Sequence, residues 1–196
     1  MGSFYTNITL KGPAQQRVVD HLNAMGRVAH VSPTLDGFTV VYDAASESQD
    51  QEVLSGLAQA LSKTFECPAL AVLNHDDDIL WYQLFSGGEL QDEYDSSPNY
   101  FSGPPTPPEG GDPEKLCALF GAFGSVDDMI HILGATYTFA FERHDDMARA
   151  LGMPSFASGS GFNYVEAEEV VLPEGISLGM FVKTPASTSA GGPTER

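Results

Sequence analysis

The chain has 196 residues, of which 42% are hydrophobic and 10% aromatic, so it can bury a core and global disorder is excluded. Nine Lys and Arg against 27 Asp and Glu give a formal net charge of −18. Such a field repels phosphate backbones and anionic membrane surfaces, so we expect neither direct nucleic-acid binding nor membrane binding. The charge favours a cation or a basic protein as partner, or serves solubility alone.

Cysteine usage and apolar runs indicate the cellular compartment. Cys67 and Cys117 have neither the spacing of a metal site nor that of a redox motif. No stretch resembles a signal peptide, and no apolar run approaches the roughly 18 residues that span a bilayer. We therefore expect a cytoplasmic protein with two free thiols and no cofactor.

The first 75 residues alternate between strand and helix signals. Apolar and polar residues alternate over residues 3–11, which predicts a strand, and Gly12-Pro13 then opens a helix. Asp36-Gly37 separates two strand-like runs and is a strong hairpin signal. A second helix, ended by Cys67-Pro68, leads into the strand-like run LAVLN. This order of elements is that of the ferredoxin-like arrangement, which places both helices on one face of the sheet.

Two further strand-like runs extend this unit. ILWYQLF and ELQDEY follow through short HDDD and SGG turns. We predict an α+β fold in which a ferredoxin-like βαββαβ core is extended by a β-hairpin into a five- or six-stranded, mainly antiparallel sheet, with a small α/β annex. The polar last strand is predicted to be the exposed edge of that sheet.

Proline and glycine mark the predicted domain boundaries. The ferredoxin-like domain with its sheet extension covers residues 1–98, and a Pro/Gly-rich linker or loop covers residues 99–111. A small helical annex with one or two strands covers residues 112–183, and a disordered tail covers residues 184–196.

The annex combines helix and strand signals. Alternating aromatic residues in TYTFAFE predict a strand, FNYVEAEEV is a second possible strand, and HDDMARALG predicts a helix. The annex is too small and too aromatic to stand alone, so we expect it to pack on the sheet, against Trp81 and Phe85.

Residues 64–114 contain eleven acidic residues and no Lys or Arg. Acidic residues interleaved with tyrosines suit a basic protein partner, through electrostatic steering and aromatic anchors. A charged edge strand also prevents pairing with other chains, which is the alternative explanation. The predicted partner-binding residues are Asp76, Asp77, Asp78, Glu89, Asp92, Glu93, Tyr94 and Asp95.

Two His/Asp clusters offer metal-ligand chemistry. His75-Asp76-Asp77-Asp78 and Glu142-Arg143-His144-Asp145-Asp146 combine imidazole with carboxylates, which bind hard or transition-metal cations. An EF-hand is excluded because no glycine stands at the sixth loop position and a strand follows the first cluster. A solvated turn and an acidic first turn of a helix are sufficient explanations of the two clusters, and the sequence favours them over a metal site. The predicted metal ligands are His75, Asp76, Asp78, Glu142, His144 and Asp145.

Three functions remain open at this point. The sequence favours a non-enzymatic acidic module that binds a basic protein partner, of an inhibitor, immunity or regulatory type. One alternative is a divalent-metal-binding protein or metal-dependent hydrolase that uses the two His/Asp clusters. Another is a small-ligand regulatory domain with a pocket between sheet and annex. The motifs of nucleophilic catalysis and of phosphate-binding loops are absent, which favours a role other than catalysis.

Overall fold

The protein has an α+β fold built on one open antiparallel sheet. A computed structural model describes residues 2–104, 106–121 and 124–185. Over these residues it contains eight strands, in the spatial order β7-β6-β5-β4-β1-β3-β2-β8, and six α-helices.

The elements have the following bounds. The strands are β1 Tyr5–Lys11, β2 Ala29–Val31, β3 Phe38–Asp43, β4 Pro68–His75, β5 Ile79–Ser86, β6 Glu89–Asp95, β7 Glu109–Gly110 and β8 Val182–Thr184. The helices are α1 Gln15–Ala24, α2 Gln51–Phe65, α3 Pro113–Phe120, α4 Val126–Gly134, α5 Ala140–Ala150 and α6 Phe162–Glu166. Short 3₁₀ turns lie at Ser46–Ser48, Ser155–Ala157 and Leu178–Met180.

Helices α1 and α2 cover one face of the sheet. The α2 helix begins where the Asp50 side chain accepts hydrogen bonds from the backbone amides of Glu52 and Val53, at 2.9 and 3.3 Å. It ends at Glu66, which adopts a left-handed conformation with φ of 50°. Its apolar stripe packs with that of α1 and with the inward residues of β1, β3, β4 and β5 into one buried cluster. Burial of this stripe, rather than helix propensity, stabilises the pair of helices on the sheet.

The C-terminal half covers the opposite face. Leu80, Tyr82 and Leu84 of β5 belong to a second buried cluster, which includes side chains of α3, α4, α5 and α6. Trp81 and Phe85, which we expected to contact the annex, instead lie in the cluster of α1 and α2. The prediction chose the wrong face of β5. Successive residues of a strand point to opposite sides of the sheet, and in β5 the residues on both sides are apolar.

The sheet is wider than the five or six strands that the sequence predicts. Strand β7 pairs with the C-terminal end of β6, and β8 pairs with β2 at the other side of the sheet. Both are only two or three residues long and carry little periodicity, so no sequence pattern marks them. Strand β6 is therefore not the outermost strand at its C-terminal end.

Three local predictions in the C-terminal half were wrong. TYTFAFE is not a strand, because α5 begins within it at Ala140, and the start of FNYVEAEEV is the helix α6. The predicted tail was to begin at Thr184, which is instead buried at the end of β8. Residues 186–196 of that tail lie outside the described residues.

The longest helix of the described ranges, α2, has 15 residues. Within those ranges no helix is long and apolar enough to cross a membrane.

Candidate functional site

The acidic turn between β4 and β5 is built into the fold by its own carboxylates. Asp76 and Asp77 adopt left-handed conformations, with φ of 53° and 60°. The Asp76 carboxylate accepts a hydrogen bond of 3.0 Å from the backbone amide of Gly2. The Asp77 carboxylate accepts from the backbone amide and the hydroxyl of Ser3, at 2.9 and 3.1 Å. Two of the three predicted partner-binding acids of this turn therefore anchor the N-terminal segment.

Asp78 is the exposed acid of the turn. Its carboxylate accepts a hydrogen bond of 2.8 Å from the hydroxyl of Tyr100, in the loop that follows β6. The Asp78 carboxylate raises the pKa of the Tyr100 hydroxyl, because a phenol that donates to an anion is harder to ionise. The acidic turn and the loop after β6 thus meet at one end of the sheet.

Some acidic residues of β6 are exposed, and others form hydrogen bonds within the fold or are half-buried. Glu89 and Glu93 are exposed. Asp92 accepts hydrogen bonds of 2.7 Å from the Tyr82 hydroxyl and from the backbone amide of Asp112. Asp95 is half-buried, and burial raises the pKa of its carboxyl. The row of acids predicted from the sequence is therefore only partly available to a partner.

Tyr94 was predicted to be a surface residue of the partner site, and its placement corrects this. The side chain is buried and stacks on Tyr82, with ring centroids 5.3 Å apart. Its hydroxyl donates a hydrogen bond of 2.7 Å to the carbonyl of Leu133 in α4. Strand β6 was predicted to be an exposed edge, whereas α4 and β7 cover Tyr94.

Aromatic rings surround His75 at this end of the sheet. The His75 ring lies 5.0 Å from that of Phe4, 6.2 Å from that of Tyr100 and 5.2 Å from that of Phe101, measured between centroids. Its Nδ1 is hydrogen-bonded to the side-chain oxygen of Gln49. Phe4, Tyr100 and Phe101 are all exposed, and Phe101 most strongly, at 78%.

A second pair of exposed rings lies beside the same turn. Phe139 and Phe141 stack on each other with centroids 6.2 Å apart. The residue between them, Ala140, donates its backbone N–H to the carbonyl oxygen of Asp77 at 2.5 Å. We call these rings and acids together the aromatic-acidic end. It consists of Phe4, His75, Asp76, Asp77, Asp78, Tyr100, Phe101, Phe139 and Phe141.

The structure does not bring the imidazoles of the two His/Asp clusters together. His75 lines a cavity of about 460 Å³ with Leu73 and Ile79, which pack on the α1 and α2 face. His144 lies on the opposite face, where its Nδ1 is 2.9 Å from the hydroxyl of Tyr5. Full burial lowers the pKa of His144 to about 3, so the imidazole is neutral at physiological pH.

The remaining predicted metal ligands also have other surroundings. Glu142 is exposed, and Asp145 accepts a hydrogen bond of 2.9 Å from the hydroxyl of Ser158 and pairs with Arg149. Across the part of the chain that the structure describes, no three His, Cys, Asp or Glu side chains are arranged to hold a metal ion. Metal binding stays a prediction that this geometry does not strengthen.

One buried charged residue, Arg143, was not selected as a site from the sequence. It is 5% exposed and lines a cavity of about 380 Å³ between the acidic turn, the loops beside β6 and the segment that precedes α5. The helical spacing of Ala140, Arg143, His144, Met147 and Leu151 would have placed Arg143 on the buried stripe of α5. The aromatic alternation that we interpreted as a strand hid that spacing.

Comparisons with known proteins add no family to this description. A scan against protein-family models, a search of curated proteins and a search of solved structures each found no match.

Proposed function

We propose that the protein is a non-enzymatic interaction module that binds a basic protein partner through the aromatic-acidic end. The observation that carries this proposal is the gathering of exposed rings around the acidic turn. Large exposed aromatic side chains serve as anchors in protein interfaces, and surrounding carboxylates select a partner of opposite charge. Inhibitor, immunity and regulatory roles all use a surface of this kind.

The charge distribution supports a basic partner. Lys63 lies beside Gly88 in the β5–β6 turn, at the far end of β5 from the acidic turn. Lys115 pairs with Asp112 at 3.2 Å, and Arg149 pairs with the acids of its own helix. These three cations lie away from the aromatic-acidic end. Arg143, which lines a cavity with Asp77 and Asp78, is buried, so the exposed carboxylate of Asp78 is left to attract a partner.

The rings are the reason to prefer partner binding over protection of a sheet edge. A charged edge strand needs only its carboxylates to discourage pairing with other chains. Exposed Phe101, Phe139 and Phe141 do not serve that purpose, because they lie in a loop and at the start of a helix. Exposed phenylalanines beside acids at one end of the sheet are better explained by an interface.

The strand order supports a further proposal about the core. The four strands in the order β4-β1-β3-β2, with α1 and α2 as crossovers, suit a ferredoxin-like core. In that description β5 and β6 extend one side of the core, and β7 and β8 add one short strand at each edge.

The experiment compares partner capture by the protein and by two single-residue variants. Immobilised protein is exposed to lysate of the organism that encodes it, at low and at high salt. Phe101→Ser removes the most exposed ring, and Val171→Ser is the matched control because Val171 is 75% exposed and lies in a loop after α6. We expect a basic protein that the wild type and Val171→Ser retain, and that Phe101→Ser binds about tenfold more weakly or worse.

Salt provides the second criterion. Retention of the basic partner by the wild type should weaken as ionic strength rises, because screening shortens the reach of the carboxylates. The proposal fails if Phe101→Ser and the wild type retain the same proteins equally well, or if the retained proteins are not basic.

A further inference from the structure

Arg143 is a buried cation that forms no ion pair within the described residues. One terminal nitrogen, Nη1, donates to the hydroxyl of Tyr94, and the other, Nη2, donates to the carbonyl of Ala135. Among the ion pairs of the described residues none includes Arg143. Its Nε is buried and has no hydrogen-bond partner. A buried guanidinium with only neutral partners is costly, and an anion beside it would remove that cost.

The neutral partners hold the guanidinium in place without offsetting its charge. Its central carbon lies 5.0 Å from the ring centroid of Tyr137 and 5.7 Å from that of Tyr94. Burial raises the pKa of both tyrosine hydroxyls to about 12, so neither ring supplies a negative charge at neutral pH. The rings and the two hydrogen bonds fix the orientation of Arg143 before any ligand binds.

The cavity beside Arg143 offers further recognition groups. Ala140, the first residue of the eleven-residue helix α5, lies in its wall, so the positive end of the helix dipole lies beside Arg143. The helix has no side-chain cap at that end. Thr106 also lines the cavity, and its hydroxyl is buried without a partner. The guanidinium of Arg143, the unpaired hydroxyl of Thr106 and a helix N-terminus, whose first amide is bonded to Asp77, therefore meet at one cavity.

Two carboxylates line the same cavity as Arg143. Asp77 and Asp78 both line the cavity, and the Asp77 carboxylate is already bonded to Ser3 and Asn74. One oxygen of Asp78 accepts from Tyr100, and a carboxylate has capacity for further donors. The cavity therefore combines one cation with one available anion.

We infer that this cavity binds a small zwitterion of the amino-acid class. The carboxylate of the ligand would lie at Arg143 and its ammonium at Asp78. A cavity of about 380 Å³ suits a molecule of that size. A phosphate dianion fits less well, because a single arginine faces it while two aspartates and a net charge of −18 repel it.

The test measures thermal unfolding of the full chain with four kinds of probe. These are each standard amino acid, propionate as the carboxylate alone, propylamine as the ammonium alone, and inorganic phosphate. We expect at least one amino acid to raise Tm by about 3 °C at a concentration roughly tenfold above its Kd. Propionate should bind more weakly, and propylamine and phosphate should leave Tm unchanged.

Two variants and one matched control assign the effect to the cavity. Asp78→Asn should weaken amino-acid binding about tenfold and leave propionate binding unchanged. Arg143→Met should abolish binding of the amino acid and of propionate. Arg149→Met removes an exposed arginine from the same helix and should leave the binding of the amino acid and of propionate unchanged. Should Arg143→Met not fold, the Nε–H resonance of Arg143 in the wild type reports on the same contact and should move on titration with the amino acid.

Three results would overturn the inference. One is that no amino acid raises Tm or moves the Arg143 resonance. Another is that phosphate binds as tightly as any amino acid. The third is that propionate equals the best amino acid and Asp78→Asn has no effect. Partner capture through Phe101 is measured separately, so either proposal can fail without the other.

Discussion

The carbonyl oxygen of Asp77 accepts a hydrogen bond of 2.5 Å from the backbone amide of Ala140. This bond joins the turn between β4 and β5 to the first residue of α5, across 63 residues of sequence. It caps a helix that has no side-chain cap, and it holds Phe139 and Phe141 beside the acidic turn. The aromatic-acidic end and the cavity of Arg143 therefore share one structural link between the two halves of the chain.

Replacing Ala140 with proline tests this link. Proline has no amide hydrogen, so Ala140→Pro removes the bond to Asp77, and its ring would crowd the carbonyl oxygen. Proline is accepted at the first position of a helix, and Phe139 already has the extended conformation that precedes proline. We expect a loss of about 1–2 kcal/mol in the free energy of unfolding, with faster hydrogen exchange in the acidic turn.

The control places proline at the first position of another helix. Val126→Pro lies at the start of α4, where the Ser125 side chain caps the helix by accepting from the Asp128 amide. This variant should change the free energy of unfolding by less than about 1 kcal/mol. Equal losses for both prolines would contradict a specific role of the Asp77–Ala140 bond.

His144 should make the protein sensitive to acid. Burial lowers its pKa to about 3 in the folded protein, whereas an unfolded histidine has a pKa of about 6.5. Between these values the unfolded chain binds the extra proton, so the contribution of His144 to stability is complete above about pH 6.5 and falls as pH falls. From about pH 7 to about pH 5 the loss should be about 2 kcal/mol.

Asparagine at position 144 isolates this contribution. His144→Asn cannot be protonated and offers an oxygen to the Tyr5 hydroxyl in place of Nδ1. Urea unfolding of both proteins at several pH values gives the difference, in which the carboxylates common to both cancel. Parallel pH profiles for the wild type and His144→Asn would show that the imidazole is not buried in its neutral form.

Local patterns predicted much of the first half of the chain. Proline, glycine and apolar periodicity placed the strands and helices over residues 5–95, because apolar residues recur there at strand or helix spacing. In the second half of the chain the same patterns predicted the wrong element. Phe139 and Phe141 alternate as in a strand, yet both remain exposed, whereas the helical stripe that contains His144 and Met147 is buried on the sheet. Tertiary burial, rather than alternation, determined the structure there.

The candidate sites depend on contacts that no local pattern contains. The sequence marked the acids of the β4–β5 turn but not the rings of Phe4, Phe101 and Phe139, which come from separate segments. Arg143 was visible only as one residue of a charged run. Arg143 is a candidate ligand-binding residue because it is buried without a carboxylate partner. This burial depends on how α5 packs against the loops beside β6.

A partly buried ion pair joins Asp43 at the end of β3 to Arg27 in the loop between α1 and β2. The Asp43 carboxylate accepts from Arg27 Nε at 2.9 Å and from Nη2 at 2.5 Å, and it also accepts from the amide and hydroxyl of Ser46. Asp43→Ala removes the partner of Arg27 and leaves the buried amide and hydroxyl of Ser46 without an acceptor, so it should lower the free energy of unfolding by about 2 kcal/mol. Lys183→Ala removes the exposed pair with Glu166 and should cost less than about 1 kcal/mol. Equal losses in urea unfolding would contradict the role of burial.

Alanine should change the free energy of unfolding in opposite directions at two glycine positions. Gly110 in β7 has φ of +75°, and a Cβ there would lie 2.1 Å from the carbonyl oxygen of Glu93. Gly110→Ala must therefore push β7 away from β6, and we expect a loss of about 2 kcal/mol or more in the free energy of unfolding. Gly56 is exposed within α2 and has nothing within 4 Å of its Cβ position, so Gly56→Ala should add about 0.5–1 kcal/mol. Urea unfolding measures both, and a Gly110→Ala variant as stable as the wild type would mean that β7 does not pair closely with β6.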